Sequence, residues 1–385
     1  MAQWEVMVDI YQKKIQAEIA SRGLVSFADF MQLALYMPEA GYYMRPKKIF
    51  GLKGDFYTSA QVSSYFGYTL AKQFDEIWRL LGEPDNWQLV EWGPGQGGLA
   101  KDILVWLRDN SPKAYDGLRY CLLEISPTLR GQQQKLLKDL QETGEIVWIS
   151  DMEEANPNGG GVIGCVFSNE LIDAFPVHRV KFSQGKWKEV YVFCEQNRLW
   201  EKEGPLSQQE LGIYIEKTEF PWEEGQVLEI NLAAQNWLST VSNAMQQGIV
   251  ITIDYGGKAW DIWGSRPQGS LRCYQQHQLI QDPFLCPGDC DITCHVDFSS
   301  LINWGEQCGL AFAGYTQQAK FLLNLGILNH FQKEKDFSYS AESIKDVMAI
   351  KKLIMPEGMG AIYKVLAQYK GLRKKPSLQG FTRNR

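Results

Sequence analysis

Positive charge is in short supply in this chain: 39 lysines and arginines face 45 aspartates and glutamates, for a formal net charge of −6. That balance offers no overall attraction to nucleic acid or to an anionic membrane. Long apolar runs are missing too. None reaches the length that spans a bilayer, so no membrane insertion is expected. Met1 to Lys14, with acids at Glu5 and Asp9, has no apolar core of the signal-peptide kind. Cysteine is thinly spread, eight in 385 residues, which argues against a disulfide framework and for a reducing, cytoplasmic compartment. The run Cys286-x3-Cys290-x3-Cys294-His295 lacks the C-x2-C pairs of structural zinc, so no metal is expected there.

What is present describes an ordinary globular protein, 45% apolar and 22% charged, long enough for one large or two ordinary domains. The informative stretch is Gln88-Leu89-Val90-Glu91-Trp92-Gly93-Pro94-Gly95-Gln96-Gly97-Gly98. A short apolar run ends in an acid, crosses a glycine-rich turn and opens a helix. Glycines let such a turn bring its backbone against a ligand without a Cβ in the way. The free N–H groups of the next helix then face whatever lies over it.

Gly93, Gly95 and Gly98 satisfy the G-x-G-x-x-G of dinucleotide folds. Glu91, Gly93, Gly95 and Gly97 equally satisfy Glu-x-Gly-x-Gly-x-Gly. A carboxylate at this point repels a pyrophosphate and suits S-adenosylmethionine, which carries an ammonium and a sulfonium. A glycine turn that binds nothing is the bland alternative, and a nicotinamide oxidoreductase is disfavoured by Glu91.

Strands are expected at 88–92, 118–124, 146–149 and 162–168, and helices at 97–108 and 127–142. This alternation predicts a parallel sheet with crossover helices, whose ligands bind beyond the carboxyl ends of the strands. Those ends carry acids. Glu124 stands where an acid accepts hydrogen bonds from ribose hydroxyls; Asp151-Met152 could flank an adenine; the fourth strand runs into Asn169-Glu170. Upstream, Ser26 reads as the cap of a helix to Tyr36, and another helix is expected over Ser64–Leu80. Residues 178–245 read as an insertion ending in a helix around 226–246. Residues 248–256 read as the fifth strand, and 256–296 as a long loop, a lid or binding surface. A helix from Asp297 to Cys308, a strand at 310–315, helices near 317–331 and 340–354 and a last strand at 361–367 complete the pattern. Residues 368–385 read as a basic, flexible tail.

Several segments then fall together in order: Gly54-Asp55-Phe56-Tyr57-Thr58-Ser59, Glu91-Trp92-Gly93-Pro94-Gly95, Asn169 to His178 (NELIDAFPVH), Asp254-Tyr255-Gly256, Gly269 to Tyr274 (GSLRCY), Pro287 to Thr293 (PGDCDIT) and His295-Val296-Asp297-Phe298. Together they resemble the MidA-type S-adenosylmethionine-dependent methyltransferases, a family that includes a mitochondrial complex I assembly methyltransferase acting on arginine. The resemblance implies an α/β class I methyltransferase fold, a Rossmann-like seven-stranded sheet with helices on both faces. To it are added an N-terminal helical part (1–83) and an insertion within the main domain (84–367). With the glycine-turn reading, the cofactor set becomes Thr58, Ser59, Glu91, Gly93, Gly95, Gly97, Glu124, Asp151, Met152 and Asn169. The segment from Asn169 to His178 is expected to line the substrate pocket.

Departures from the family pattern fall at Gln61, Gln96 and Gly257, and they bear on the protein substrate and on activity. The expected function is methylation of a protein arginine, on a subunit of a complex I-like assembly. A non-catalytic assembly factor and a small-molecule methyltransferase are the alternatives. Guanidinium stays protonated below a pKa of about 12, so carboxylates must grip it and take up a proton. Glu170 and Asp173 are the candidates, one turn apart if a helix starts at Glu170, with His178 a weaker candidate for proton transfer.

Overall fold

Four short apolar runs without proline form the strands Trp87–Trp92 (β1), Leu118–Leu123 (β2), Glu145–Ile149 (β3) and Val162–Asn169 (β4). In the computed structural model, which describes residues 2–45, 59–275, 278–329 and 341–382, β1 and β4 are buried at consecutive positions. Burial without alternation marks a strand covered on both faces. Met245–Gly257 (β5), Ala311–Gln317 (β6) and Tyr363–Lys370 (β7) extend the sheet. The strands follow the order β3-β2-β1-β4-β5-β7-β6. β1 to β5 are parallel, and β7 is antiparallel to both neighbours. This is the class I methyltransferase sheet that the resemblance implies. Its strand order reverses between β1 and β4, the switch point where such sheets open a crevice at their carboxyl ends.

Helix Ser64–Leu80 (α1) starts at Ser63, whose side chain accepts from the Tyr65 N–H. Phe66, Leu70, Phe74 and Ile77 give it an apolar stripe. That stripe shares a core with Leu99, Ile103 and Leu107 of helix Gly98–Asn110 (α2) and with Leu89, Phe167 and Ile251 of the sheet. Helix Pro127–Leu136 (α3) is shorter than the sequence indicates: it breaks at Leu137, and Lys138–Gln141 resumes as a separate turn.

By internal contacts the chain falls into two compact units. Residues 57–171, 237–256 and 301–385 make the seven-stranded unit. Residues 1–56, 172–236 and 257–300 make the other, which has an antiparallel sheet of its own. In that second sheet Lys186–Glu195 pairs with Val25–Ser26, His178–Ser183 and Arg198–Gly204, and His178–Ser183 pairs with Val227–Ile230. Ser26 caps helix Phe27–Tyr36 through a reciprocal pair with Asp29.

Three regions differ from expectation. The helix anticipated over 226–246 begins as strand Val227–Ile230 and turns helical only at Leu232, where the Asn231 side-chain Oδ1 accepts from the Ala234 N–H at 2.9 Å. The long loop is not structureless. It holds helix Ala259–Ser265 and a small sheet of Arg272–Gln275, Gln278–Ile280 and Asp291–Thr293. The C-terminal tail, read as flexible from its basic charge, docks on the first unit through its apolar residues. Leu378 is buried, Phe381 packs on Phe321 with ring centroids 5.3 Å apart, and the Gly380 N–H donates to Gln73 Oε1 at 3.1 Å. Asn324 donates to the carbonyls of Gly380 (3.1 Å) and Thr382 (2.6 Å). A Cβ at Gly380 would stand 2.3 Å from Phe321 Cε2, so only glycine allows this approach.

Removing residues 376–385 should therefore destabilise the sheet unit by about 2–4 kcal/mol, from the lost burial of Leu378 and Phe381. Denaturant unfolding of the full and shortened chains measures this, and coincident transitions would mean that the docked segment contributes nothing.

Candidate active site

Registers align the strand tips. Trp92 at the end of β1 lies opposite Leu123 of β2 and Ser168 of β4, and Leu123 lies opposite Ile149 of β3. Beyond Trp92 the chain bends through Gly93, Gly95 and Gly97 at φ values of 73°, 55° and 84°, left-handed conformations that favour glycine. A Cβ on Gly93 would come within 2.7 Å of Leu171 Cδ1. Gly97 then opens α2 without a side-chain cap, leaving the first N–H groups of that helix unanswered by a cap side chain.

Glu91 is buried under this bend, and its Oε2 accepts from the Tyr120 hydroxyl at 2.7 Å. Burial raises its pKa to about 7, opposed by the Tyr120 hydrogen bond and helped by the nearby Glu124. Glu124 is nearly as buried. Its Oε1 accepts from the Ser126 N–H at 2.7 Å and its Oε2 from Gln133 Nε2 at 3.1 Å. Burial lifts it to about 7 as well, against those hydrogen bonds. Burial thus pushes both acids toward the neutral form in the ligand-free fold.

Gln133, absent from the sequence-derived set, ties this corner together. From α3 its Nε2 also donates to the Gly95 carbonyl at 2.6 Å, while its Oε1 accepts from Trp148 Nε1 at 2.8 Å. The available signal was its spacing: Gln133 stands four residues after Leu129 and four before Leu137, a polar residue in an apolar register. On β3's side, Asp151 is exposed, and its Oδ1 accepts from the N–H groups of Glu153 (2.9 Å) and Glu154 (3.2 Å). Met152 beside it is buried.

At the end of β4, Glu170 takes φ 53° and its N–H donates to the Ile253 carbonyl at 2.9 Å. Its carboxylate accepts from the Ser59 N–H (2.6 Å), Asn169 Nδ2 (3.3 Å) and the Tyr363 hydroxyl (2.9 Å). Burial raises its pKa against these hydrogen bonds. Ser59 is fully buried; Thr58 and the side chain of Gln61 lie outside the described residues.

The helix expected from Glu170 does not form. The left-handed residue breaks it, and Asp173 sits instead in a three-residue 3-10 turn, Ile172–Ala174, of the second unit. Asp173 is buried there, and its carbonyl accepts from the Cys294 N–H at 3.0 Å. His178 is buried in a strand of the same unit. Its Nδ1 lies 2.7 Å from Glu189 Oε1 and its Nε2 3.3 Å from Gln208 Nε2, so both ring nitrogens have partners within the fold. All eight cysteines are free thiols. Among the described residues no group of three His, Cys, Asp or Glu could hold a metal, and no helix is long and apolar enough to cross a membrane.

Comparison with known proteins bears on this site. Residues 69–316 match the model of a family described as S-adenosyl-L-methionine-dependent methyltransferases. The Drosophila melanogaster mitochondrial protein arginine methyltransferase NDUFAF7 homolog is 28% identical over 382 residues, 94% of this chain and 85% of its own. The Homo sapiens mitochondrial protein arginine methyltransferase NDUFAF7 is 28% identical over 343 residues, 82% of this chain and 73% of its own. Among solved structures, a COG1565 superfamily member from Burkholderia thailandensis bound to S-adenosyl-homocysteine superposes with a TM-score of 0.87 at 29% identity, covering 98% of this chain and 96% of that one. The cytoplasmic location expected from cysteine usage is corrected by the named relatives, which are mitochondrial proteins.

Three outcomes are expected. Because Glu91 and Glu124 are raised to about 7, binding of S-adenosylmethionine should draw them into the ionised form. Affinity should then rise about tenfold or more between pH 6 and pH 8, with proton release seen by calorimetry in buffers of different ionisation enthalpy. For the ligand-free fold the sign is opposite: the stability these raised acids contribute is full below their unfolded-state pKa and fades as pH climbs through about 7. Gln133→Leu strands the Gly95 carbonyl and the Trp148 N–H, and should cost about 1–3 kcal/mol of stability together with cofactor affinity, read by thermal melts with and without S-adenosylhomocysteine.

Proposed function

The chain belongs to the family of S-adenosyl-L-methionine-dependent methyltransferases matched over residues 69–316, and on that premise we propose that it methylates an arginine side chain of a protein partner. The observation that supports this reading is the reach of the similarity. A relative named as a protein arginine methyltransferase aligns over 94% of this chain, well beyond the residues of the sheet unit. A subunit of a complex I-like assembly is the partner we infer from the family resemblance.

S-adenosylmethionine supplies a methyl carbon activated by a sulfonium. We assign its binding to the bend at Gly93, Gly95 and Gly97, to Glu91 and Glu124 as ionised acceptors, and to Asp151, Met152 and Ser59 along the same row of strand tips. Thr58 keeps its place in the proposal from the motif alone. The remaining task is alignment of donor and acceptor, a gain that reaches about 7–11 kcal/mol in well-ordered systems. Glu170 has its oxygens engaged by three donors of its own unit, so we read it as a group that sets the backbone at the end of β4. Asp173, three residues further along the chain, is the carboxylate we propose for the guanidinium. His178, satisfied within its sheet, is left out of the mechanism.

The test is to add purified chain and radiolabelled S-adenosylmethionine to a lysate from cells that lack it. A labelled protein band carrying methylarginine by mass spectrometry is expected, and Asp173→Asn should lower its labelling at least about tenfold. Label confined to small molecules, or to lysine or glutamine, would end the arginine reading.

A further inference from the structure

We infer that the outer face of helix Ala341–Ile354 (α4) is a docking surface for an acidic, amphipathic segment of the protein to be methylated. The inference rests on the reading of a protein as substrate, but not on arginine as the acceptor.

The inner side of α4 is fixed by its partners. Ile350 and Leu353 are buried in the core of the sheet unit, and the Tyr65 hydroxyl donates to Asp346 Oδ2 at 3.2 Å. Gln318 Nε2 donates to the Leu353 carbonyl at 3.1 Å, and Gln318 Oε1 accepts from the Ser59 hydroxyl at 3.4 Å. Ser59 in turn donates its backbone N–H to Glu170. Two residues, Gln318 and Ser59, thus link α4 to the end of β4.

The outer side is apolar where a solvated helix is polar. Ile344 is 52% exposed, Met348 63%, and Met355, just past the helix, 45%. The Met355 N–H donates to the Lys351 carbonyl at 2.9 Å, so the helical path carries through it. Ile344, Met348, Lys351 and Met355 therefore follow i, i+4, i+7 and i+11, one stripe about 16 Å long. A single exposed apolar side chain is ordinary; three in one stripe form a patch. Methionine suits such a surface, because its unbranched, polarizable chain adapts to whatever covers it. The Lys351 stem adds apolar length to the stripe. Lys345 and Lys352, both exposed, stand seven residues apart along one flank. Among the described residues of this outer face no side chain is acidic.

Charge and spacing together select the occupant. The lysines are complementary to carboxylates, and the stripe to apolar side chains at helical spacing. An anionic membrane offers the same charge, but a flat bilayer would also meet the rest of a chain whose net charge is −6. A segment held on α4 is held by the unit that carries the glycine bend and Glu170, which raises the effective concentration of its acceptor there.

The probe is a fluorescein-labelled synthetic helix of about 15 residues, free of arginine, with leucines at i, i+4, i+7 and i+11 and glutamates on both flanks. Anisotropy should give a Kd below about 100 µM with the full chain, and at least about tenfold weaker binding when the glutamates are replaced by lysines. Met348→Glu should weaken the acidic peptide about tenfold or more and Lys345→Glu about threefold, with S-adenosylhomocysteine affinity changed less than about twofold. If Met348→Glu fails to fold, Met348→Gln, of the same length but polar, gives the same readout. On a labelled protein from the lysate, Met348→Glu should raise KM and leave kcat unchanged. No saturation by about 1 mM, equal binding of the two peptides, or no loss in the Met348 variant would overturn the assignment. So would variant-sensitive binding to phosphatidylcholine–phosphatidylserine vesicles, or variant-sensitive self-association in sedimentation, in place of peptide binding. The peptide has no arginine, so its binding and the arginine reading stand or fall separately.

Discussion

A carboxylate buried at the tip of a central strand is costly to ionise, and the arrangement around Glu91 depends on that cost. Tyr120 gives it one neutral hydrogen bond, which offsets only part of the burial that lifts it to about 7. Glu124, one strand over, is lifted to about 7 by its own burial, and its charge adds to the rise at Glu91. Without a cation the corner relieves itself by taking up protons. A sulfonium and an ammonium change the balance, because charge then has a partner in a low-dielectric setting. The glycine bend above it follows from backbone conformation, since Gly93, Gly95 and Gly97 all lie in the left-handed region.

The second acid-bearing tip works differently. Glu170 is raised by burial yet surrounded by donors, the Ser59 and Asn169 amides and the Tyr363 hydroxyl. Such a carboxylate is a structural anchor for its neighbours rather than an open receptor. Its left-handed φ of 53°, costly for a residue with a side chain, is held by the Ile253 carbonyl and by those same donors. Strain of this kind ends β4 abruptly and throws the chain off the sheet at Leu171. The acid thus shapes the site through backbone geometry.

These distinctions mark what was legible in the sequence. The parallel strands were readable because β1 and β4 are short, mostly apolar runs without proline, bounded by turn residues, and the glycine bend because three left-handed positions demand glycine. Glu91 was readable as an electrostatic choice between two cofactors. Gln133 was not, since its place in the apolar register of a helix names no partner until Gly95 and Trp148 are placed beside it. The small strands within 256–296 were missed because three or four residues carry no measurable alternation. The tail was misread because its exposed Arg373, Lys374 and Lys375 conceal the anchors Leu378 and Phe381 that follow. Charge reports on solvent, while docking is decided by the few apolar residues among the charges.

Connectivity adds a last step. Residues of the second unit enter the chain at 172, directly after β4, and at 257, where β5 ends. Both departures are from carboxyl ends of neighbouring parallel strands, and neither disturbs the pairing, which runs unbroken from Gly248 opposite Gly164 to Ile253 opposite Asn169. Placed where they are, the two excursions can change in length and sequence while the hydrogen-bonded ladder that fixes Glu91, Glu124 and Asn169 stays the same. Strand register thereby sets where these three side chains stand.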